Sequence, residues 1–227
     1  MAAKRYFVTG TDTEVGKTLI SSALLSVAGD RGLRTLAMKP IAAGAEQVDG
    51  QWRNDDALAL QAAMNSELPY AQLNPVCLPQ PIAPHIAARD NGQRLSADRV
   101  VGFCRGVMMQ PTDFMIIEGA GGWRVPINER ETFADVPKAL ELDVILVVGL
   151  RLGCLNHALL TAEAIEHDGL RLAGWVGSCI DPDMDSQADN IDDLKMRLRA
   201  PCLGIVPHLN EPNAAAAGKF IDIDVII

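Results

Sequence analysis

The sequence predicts an α/β protein with a mostly parallel sheet and helices on both faces. Short apolar runs that suit buried strands alternate with longer segments whose apolar residues recur at helical spacing. The clearest central strand is residues 144–148, and a helical pattern starts at Lys17. Because alternating strands and helices connect through right-handed crossovers, most strands are expected to be parallel. The length of 227 residues fits one domain, residues 1–227, and the 48% hydrophobic share is ample for a core.

The individual elements follow from the same patterns in chain order. Strands are predicted at residues 6–9, 35–38, 114–117, 144–148, 172–178 and 203–206. Helices are predicted at residues 17–30, 54–64, 96–109, 132–140, 156–168 and 186–198. Asn54, Ser96 and Thr132 are of the residue types that cap helix N-termini. The other segments are expected to be less regular: 41–53 as a loop, the proline-rich 73–84 as an irregular wall or short edge strands, and the alanine-rich 210–218 as a loop.

The composition limits the partners and the compartment. The formal net charge of −9 argues against nucleic acid or an anionic membrane as the main partner. The five cysteines are dispersed without a C-x-x-C pair, which indicates a reducing compartment and no zinc site. No signal-type apolar segment precedes the first strand, and the longest apolar run, residues 144–150, is too short to span a membrane. We therefore expect a cytoplasmic protein without a membrane partner.

A phosphate-binding loop stands between the first predicted strand and the first predicted helix. It runs from Gly10 to Gly16 and is followed by Lys17 and Thr18. In such a P-loop, the loop N–H groups and the positive helix end surround phosphate oxygens. The Lys17 ammonium would lie between the outer phosphates, and the Thr18 hydroxyl is placed to bind Mg²⁺. Five residues separate the two glycines, one more than in the standard motif. The loop predicts a three-layer fold like that of the P-loop NTPases.

Three more side chains extend this site, because ligands of parallel α/β sheets lie beyond the carboxyl ends of the strands. Lys39 follows the second strand and would bring a second ammonium group to a transferring phosphoryl group. Glu118 follows the third strand and Asp56 starts a helix, so with Thr18 they offer the oxygen ligands that a hard cation needs. The alternatives are a solvated lysine at a strand edge for Lys39 and simple helix stabilisation for Asp56.

Two further loops are candidate ligand contacts. Gly119, Gly121 and Gly122 follow Glu118 and would let the backbone approach a ligand closely. Residues 153–156 open a helix, so their N–H groups could hold a carboxylate. An ordinary helix start explains residues 153–156 equally well.

Taken together, these segments resemble the dethiobiotin synthetases, a family of ligases of biotin synthesis. The matching runs are YFVTGTDTEVGKT at residues 6–18, Lys39-Pro40, Asn54 with residues 56–61, EGAGGW at residues 118–123, and residues 152–154 with 156–158. The resemblance extends from residue 6 to about residue 219, and the longer P-loop matches this family.

The resemblance implies a homodimer that uses Mg-ATP, CO2 and 7,8-diaminononanoate. It implies that one amine of the substrate combines with CO2 to form a carbamate. The γ-phosphoryl group of ATP then activates this carbamate, and the second amine closes a ureido ring and expels phosphate.

The resemblance also implies roles for the residues at matching positions. Lys17 and Lys39 would be the catalytic residues that bind the carbamate and the γ-phosphate, while Mg²⁺ would be held by Thr18, Asp56 and Glu118. The nucleotide contacts would be Glu14, Val15, Gly16, Lys17, Thr18, Leu19, Asp56, Glu118, Gly119, Ala120, Gly121, Ser178, Cys179, Pro207, His208, Leu209 and Glu211. The substrate contacts would be Thr13, Lys17, Lys39, Ala43, Gly122, Gly153, Cys154, Leu155 and Asn156, of which the last four would hold the substrate carboxylate across the dimer interface.

Two places depart from the family pattern. Ala43 stands where the family often has Ser, so one hydrogen bond is missing or supplied by water. Ser178 and Cys179 stand where the family often has Asn-Asp for the adenine edge. Two other functions remain open: a partitioning or positioning ATPase switch, and a related ligase for another amine or carboxylate. Such switches usually carry a second lysine early in the P-loop, where this chain has Asp12 and Glu14.

Overall fold

The protein alternates strands and helices along most of its length, as described for residues 3–227 by a computed structural model. Its strands are β1 (Lys4–Gly10), β2 (Thr35–Met38), β3 (Ile41–Ala43), β4 (Glu46–Val48), β5 (Gln51–Arg53), β6 (Val76–Leu78), β7 (Phe114–Gly122), β8 (Asp143–Gly149), β9 (Leu172–Ser178) and β10 (Cys202–Val206). Its helices are α1 (Lys17–Asp30), α2 (Asp55–Ala63), α3 (Tyr70–Leu73), α4 (Pro84–Asp90), α5 (Ala97–Met108), α6 (Asp135–Leu140), α7 (Cys154–His167), α8 (Gln187–Arg197) and α9 (Ala214–Gly218).

Six of the strands form one parallel sheet in the order β10-β9-β8-β1-β7-β2. The strand β1 lies between β7 and β8, and Tyr6 is in register with Ile116 on one side and Asp143 on the other. The parallel sheet with its connecting helices confirms the predicted fold class. Since all six strands run in one direction, the carboxyl ends of β1, β2 and β7 meet at one edge of the sheet, where the site is expected.

The strand sequences account for the burial of the sheet. Both faces of a parallel sheet are covered, so its strands are almost continuously apolar, and residues 114–117 and 144–148 are accordingly inaccessible to solvent. The Phe7 ring packs between Trp123 and Phe133, with ring centroids 6.0 and 5.5 Å away. Helix α1 packs against both α2 and α9. This packing fixes the P-loop, which joins β1 to α1.

Several predicted elements match the structure closely. The bounds of α1, β2 and β9 are those predicted from the sequence. Asn54 and Ser96 are confirmed as N-caps, because their side chains accept hydrogen bonds from the N–H groups of Ala57 and Arg99, both at 3.3 Å. The predicted cap at Thr132 is wrong: α6 starts later, and the N–H of Thr132 instead donates to the Asp135 side chain at 2.9 Å.

Other predictions were wrong where the structure depends on distant contacts. Residues 118–122 continue strand β7 because Gly122 pairs with Gly10, so Glu118 lies within a strand and not before a loop. Residues 41–53 contain β3, which pairs with β6, and the hairpin β4–β5, which turns at Asp49 and Gly50 with positive φ angles. The alanine-rich segment predicted as a loop contains α9, whose alanines pack on α1. Helix α7 begins at Cys154, two residues before its predicted start.

Two structural findings concern the length of the helices and the state of the cysteines. Among residues 3–227, no helix combines the length and the apolar character that crossing a membrane requires. All five cysteines lie within the described residues and are free thiols.

The end of β7 is fastened to α7 by Asp168, whose side chain is only 8% exposed. The Trp123 indole donates to Asp168 at 2.8 Å, and the Arg124 guanidinium pairs with it at 2.7 Å. Burial alone would raise the pKa of Asp168, but the hydrogen bonds from Arg124 and Trp123 and the charge of Lys138 lower it. The ionised carboxylate is therefore favoured in the folded protein.

Replacing Asp168 with asparagine is expected to lower the free energy of unfolding by about 1–3 kcal/mol near neutral pH, because charged hydrogen bonds are lost in a buried place. A carboxyl group with a lowered folded pKa stabilises the protein above its unfolded pKa of about 4, and this contribution disappears as the pH falls through the folded value. In urea unfolding, the difference in the free energy of unfolding between the wild type and Asp168→Asn should be constant near neutral pH and should shrink below about pH 4. The matched control is Asp143→Asn, whose exposed pair with Arg171 should contribute less than about 1 kcal/mol. Equal losses in the two variants would contradict the prediction.

Candidate active site

The P-loop has the backbone that its sequence predicts. Gly16 lies in the left-handed region with φ +86°, where it starts α1, and its carbonyl accepts the N–H of Ile20 at 3.0 Å. A Cβ at Gly16 would lie 2.8 Å from the Ser178 hydroxyl oxygen, so glycine is required here both for conformation and for space. The N–H groups of this turn, at the start of α1, would be able to bind an anion.

Lys17 lies over this loop, only 7% exposed, and its ammonium donates to the carbonyl of Asp12 at 2.8 Å. Burial, followed by the nearby Lys39 ammonium, lowers the pKa of Lys17 to about 8 against the opposing effect of nearby carboxylates. Within the described residues, no carboxylate forms a salt bridge with Lys17. An anionic ligand would therefore stabilise the charged form of this lysine.

The second lysine lies between two carboxylates. The Lys39 ammonium is 2.6 Å from Glu118 Oε1 and 2.9 Å from Asp56 Oδ2, and it also donates to the carbonyl of Gly119 at 3.0 Å. Burial alone would lower the pKa of Lys39, but the charges and hydrogen bonds of Glu118 and Asp56 raise it. Lys39 is thus a buried, charged ammonium group, and the reading of a solvated strand-edge lysine does not hold.

The acidic side chains are suited to a hard cation. Glu118 is fully buried, and its Oε2 atom has no hydrogen-bond partner among the described residues. Its other oxygen, Oε1, accepts the Thr18 hydroxyl at 2.8 Å. A buried, unpaired carboxylate oxygen beside a hydroxyl and a second carboxylate fits Mg²⁺, which takes oxygen ligands and keeps sites for phosphate oxygens and water. In the described part of the chain, no group of three or more His, Cys, Asp or Glu side chains could hold a metal alone.

A cavity of about 800 Å³, the main cavity, opens in front of Lys17, Lys39 and Asp56. The predicted residues that line it are Thr13, Glu14, Gly16, Lys17, Thr18, Leu19, Lys39, Ala43, Asp56, Ala120 and Gly121. Its wall also contains residues that sequence reasoning did not assign to the site, namely Pro81, Ile82, Ala83, Pro84, Val125 and Pro126. The proline-rich composition of residues 73–84 predicted a wall but not which residues face the ligand.

Some predicted contacts lie beneath or beside this cavity. Val15 is buried under the loop, against Gly10 and Gly149, and Gly119 faces the rings of Phe7 and Phe133. Gly122 pairs with Gly10 in the sheet and does not line the cavity. These residues shape the floor of the site through the backbone.

The residues predicted to contact the nucleoside lie at the carboxyl ends of β9 and β10. Ser178 ends β9 next to Gly16, and the N–H of Cys179 donates to the carbonyl of Val206 at 2.9 Å. Burial raises the pKa of Cys179, whose thiol donates to Gln187 at 3.3 Å. The remaining predicted contacts, Pro207, His208, Leu209 and Glu211, follow β10 and do not line the main cavity.

A second cavity of about 450 Å³ shares Thr18 and Leu19 with the first. It is bounded by alanines of α2 and by residues 212–214, which directly follow the segment 207–211. Ser22 also lines it, and its buried hydroxyl has no hydrogen-bond partner among the described residues. No sequence motif marked Ser22, because its exposure to the cavity depends on how α2 packs on α1.

The helix start at residues 153–156 is connected to the P-loop but lies outside the main cavity. Gly153, the N-cap residue before α7, has φ +94°, while Leu152 is 91% exposed. Arg151 pairs with Asp12 at 2.5 Å, and Asp12 also accepts the N–H of Thr13 at 2.8 Å. This contact ties the phosphate-binding loop to the loop that opens α7.

The sequence is similar to a family model and to named proteins over nearly its whole length. A family model described as an AAA domain matches residues 4–216. The ATP-dependent dethiobiotin synthetase BioD of Marinobacter nauticus is 54% identical over 216 residues, which are 95% of this chain and 92% of the relative. The enzyme of the same name from Cellvibrio japonicus is 52% identical over 227 residues, covering 100% of this chain and 99% of the relative.

Solved structures of more distant proteins have the same fold. The cell division protein MinD of Aquifex aeolicus superposes with a TM-score of 0.58 at 15% identity, covering 95% of this chain and 93% of that one. A ParA family ATPase of Chlorobium tepidum gives a TM-score of 0.57 at 11% identity, covering 92% and 86%. At such low identity, these similarities concern the fold alone.

Proposed function

Since the chain belongs to the ATP-dependent dethiobiotin synthetase family, we propose that its main cavity is where ATP, CO2 and 7,8-diaminononanoate react. The observation that carries this proposal is the pair of buried ammonium groups, Lys17 and Lys39, beside the unpaired carboxylate oxygen of Glu118. This arrangement offers positive charge for phosphate and oxygen ligands for Mg²⁺ at the same edge of the sheet. The family and the geometry therefore both support the main cavity as the place of the reaction.

The nucleotide is proposed to bind with its phosphates on the P-loop. Backbone N–H groups at the start of α1 and the Lys17 ammonium would bind the phosphate oxygens. The smaller cavity is assigned to the nucleoside, because it shares Thr18 and Leu19 with the phosphate site and adjoins the segment 207–211. Thr18, Asp56 and Glu118 would hold Mg²⁺, which supplies positive charge to phosphate oxygens when it is bound.

The chemistry asks these residues to bind and to neutralise charge. One amine of the substrate attacks CO2 and loses a proton, giving a carbamate. A carbamate oxygen attacks the γ-phosphorus, the bond to ADP breaks, and a carbamic–phosphoric anhydride forms. The second amine then attacks the carbonyl carbon of this anhydride and loses a proton, the ureido ring closes, and phosphate leaves. Lys39 and Lys17 would stabilise the negative charge on the transferring phosphoryl group, because both ammonium groups line the cavity.

The substrate carboxylate is proposed to lie at the interface of a homodimer. The loop before α7 is exposed, with Leu152 at 91% and, further along α7, Leu160 at 57%. A dimer interface over this region would remove both side chains from water, Leu152 in the loop and Leu160 on the helix. The N–H of Cys154 donates to the carbonyl of Arg151 at 3.0 Å, so the N–H groups of Gly153, Leu155 and Asn156 would hold the carboxylate. The Arg151–Asp12 pair would keep this loop in register with the P-loop.

The proposed function predicts that phosphate release requires both the diamine and CO2 or bicarbonate. ATP hydrolysis should fall to background when the diamine is withheld, because no carbamate is then present to accept the phosphoryl group. A matched control replaces the diamine with an amino acid of the same length that carries one amine, which cannot close the ring. Phosphate release measured by a coupled assay and ring formation by mass spectrometry test this directly. Unchanged ATP turnover without the diamine would refute it.

A further inference from the structure

A chain of hydrogen bonds connects the two elements that carry Lys39 and Asp56. The Asn74 amide donates to the carbonyl of Lys39 at 2.7 Å, and the Tyr70 hydroxyl donates to Asn74 Oδ1 at 3.2 Å. The same hydroxyl accepts the backbone N–H of Asn54 at 2.8 Å. The two outer links each join a backbone group of one active-site element to a side chain of the segment around α3, and the bond between Tyr70 and Asn74 joins those two side chains.

Both ends of this chain are held by further bonds. The N–H of Lys39 donates to the carbonyl of Leu73 at 2.9 Å, so the backbone of Lys39 is bound on both sides by the segment 73–74. Asn54 caps α2 and its amide donates to the carbonyl of Ala43 at 3.2 Å. Asp56 lies two residues after this cap, in the first turn of α2. The Tyr70–Asn74 pair thus sets the separation between the start of α2 and the end of β2.

We propose that Tyr70 and Asn74 are positioning residues that hold Lys39 and Asp56 at the separation the phosphoryl transfer needs. This inference rests on the function proposed for Lys39 and Asp56. Neither Tyr70 nor Asn74 lines the main cavity, so they act through the elements that they join. Placement of charged groups matters because a shift of about 1 Å in a reacting group can cost about a hundredfold in rate.

The surroundings of Tyr70 are consistent with a fixed, protonated hydroxyl. Burial raises the pKa of Tyr70 to about 12, so the hydroxyl keeps its proton and can donate to Asn74. The Arg53 guanidinium lies 4.1 Å from the centre of the Tyr70 ring and holds the ring in place. Asn74 is 3% exposed, so water does not easily replace the hydroxyl. Phenylalanine at position 70 would keep the ring and its cation–π contact while removing only the hydroxyl.

The sequence offers a matched control, because it contains two tyrosines. The Tyr6 hydroxyl donates to the carbonyl of Ile226, near the amino end of β1 and away from the site. Tyr6→Phe and Tyr70→Phe therefore each remove one tyrosine hydroxyl that bonds to the backbone, and Tyr70→Phe also removes the bond to Asn74. Similar decreases in melting temperature are expected for the two variants.

Their kinetics should differ. Tyr70→Phe is expected to lower kcat about tenfold and to raise the Mg²⁺ concentration that gives half-maximal velocity, with the KM for the diamine unchanged. Tyr6→Phe should leave kcat and the Mg²⁺ dependence at wild-type values. Asn74→Ala breaks the chain of hydrogen bonds at its other end and should reproduce the kinetics of Tyr70→Phe. If Tyr70→Phe does not fold, Asn74→Ala tests the positioning role in its place.

The kinetics of these variants distinguish a failure of the proposed function from a failure of the positioning role. If Lys39→Met keeps wild-type turnover, the proposed function of the cavity is refuted. If Lys39→Met is inactive but folded Tyr70→Phe and Asn74→Ala match Tyr6→Phe in kcat and Mg²⁺ dependence, only the positioning role is overturned.

Discussion

Replacing Lys39 with methionine is expected to lower kcat roughly a thousandfold, because the proposed function places this buried positive charge beside the transferring phosphoryl group. Methionine has a similar length and apolar stem, so the change removes the ammonium with little change in volume. Steady-state phosphate release with saturating ATP, diamine and bicarbonate measures the effect. The matched control is Lys195→Met, because Lys195 is an exposed lysine on α8 whose weak pair with Asp192 is remote from the site.

Lys39→Met should lower kcat but strengthen the binding of Mg²⁺. The Lys39 ammonium lies between Asp56 and Glu118, where it would compete with a divalent cation. Without it, the buried Glu118 carboxylate has no cationic partner, and the free energy of unfolding should fall by about 3–5 kcal/mol. Mg²⁺ alone should restore much of this loss, as measured by thermal unfolding at increasing Mg²⁺. A Lys39→Met protein that turns over normally, or one that is insensitive to Mg²⁺, would contradict this account.

The sequence predicted these charged groups because each follows a local pattern. Lys17 and Thr18 belong to a motif, and Lys39 and Glu118 end the apolar runs of two buried strands. Parallel strands bring their carboxyl ends to one edge, so a polar residue just after a buried run is placed near the ligand. The contact between Lys39 and Glu118 was not predicted, because the direction of a side chain depends on the register of β2 and β7.

What the sequence did not predict depends on contacts between distant segments. Residues 81–84 face the cavity because β3 pairs with β6 and because Pro84 starts α4. Helix α9 is short and forms where small residues meet α1, as a Cβ at Gly218 would lie 2.9 Å from the Val27 side chain. Periodicity within a few residues carries no information on such packing.

Replacing Glu118 with glutamine is expected to lower kcat about a hundredfold to a thousandfold, because an oxygen that is proposed to bind Mg²⁺ and its charge are lost together. The Mg²⁺ dependence of turnover should move to much higher concentrations, whereas the KM for the diamine should change little. Stabilisation by Mg-ADP, measured as a shift in melting temperature, should be large in the wild type and small in Glu118→Gln. Glu163→Gln on α7 is a suitable control, because Glu163 forms no salt bridge within the described residues. Wild-type Mg²⁺ dependence in Glu118→Gln would show that Mg²⁺ binds elsewhere.

The double variant Lys39→Met with Glu118→Gln separates stability from catalysis. Removing one member of a buried ion pair leaves the other charge uncompensated, whereas removing both avoids that penalty. The double variant should therefore be more stable than either single variant, and the coupling between the two changes should exceed about 1 kcal/mol in a double-mutant cycle of urea unfolding. Its activity should nevertheless be no higher than that of Lys39→Met, since the phosphoryl group still lacks the ammonium. A double variant as unstable as the singles would mean that Lys39 and Glu118 do not depend on each other for their charge.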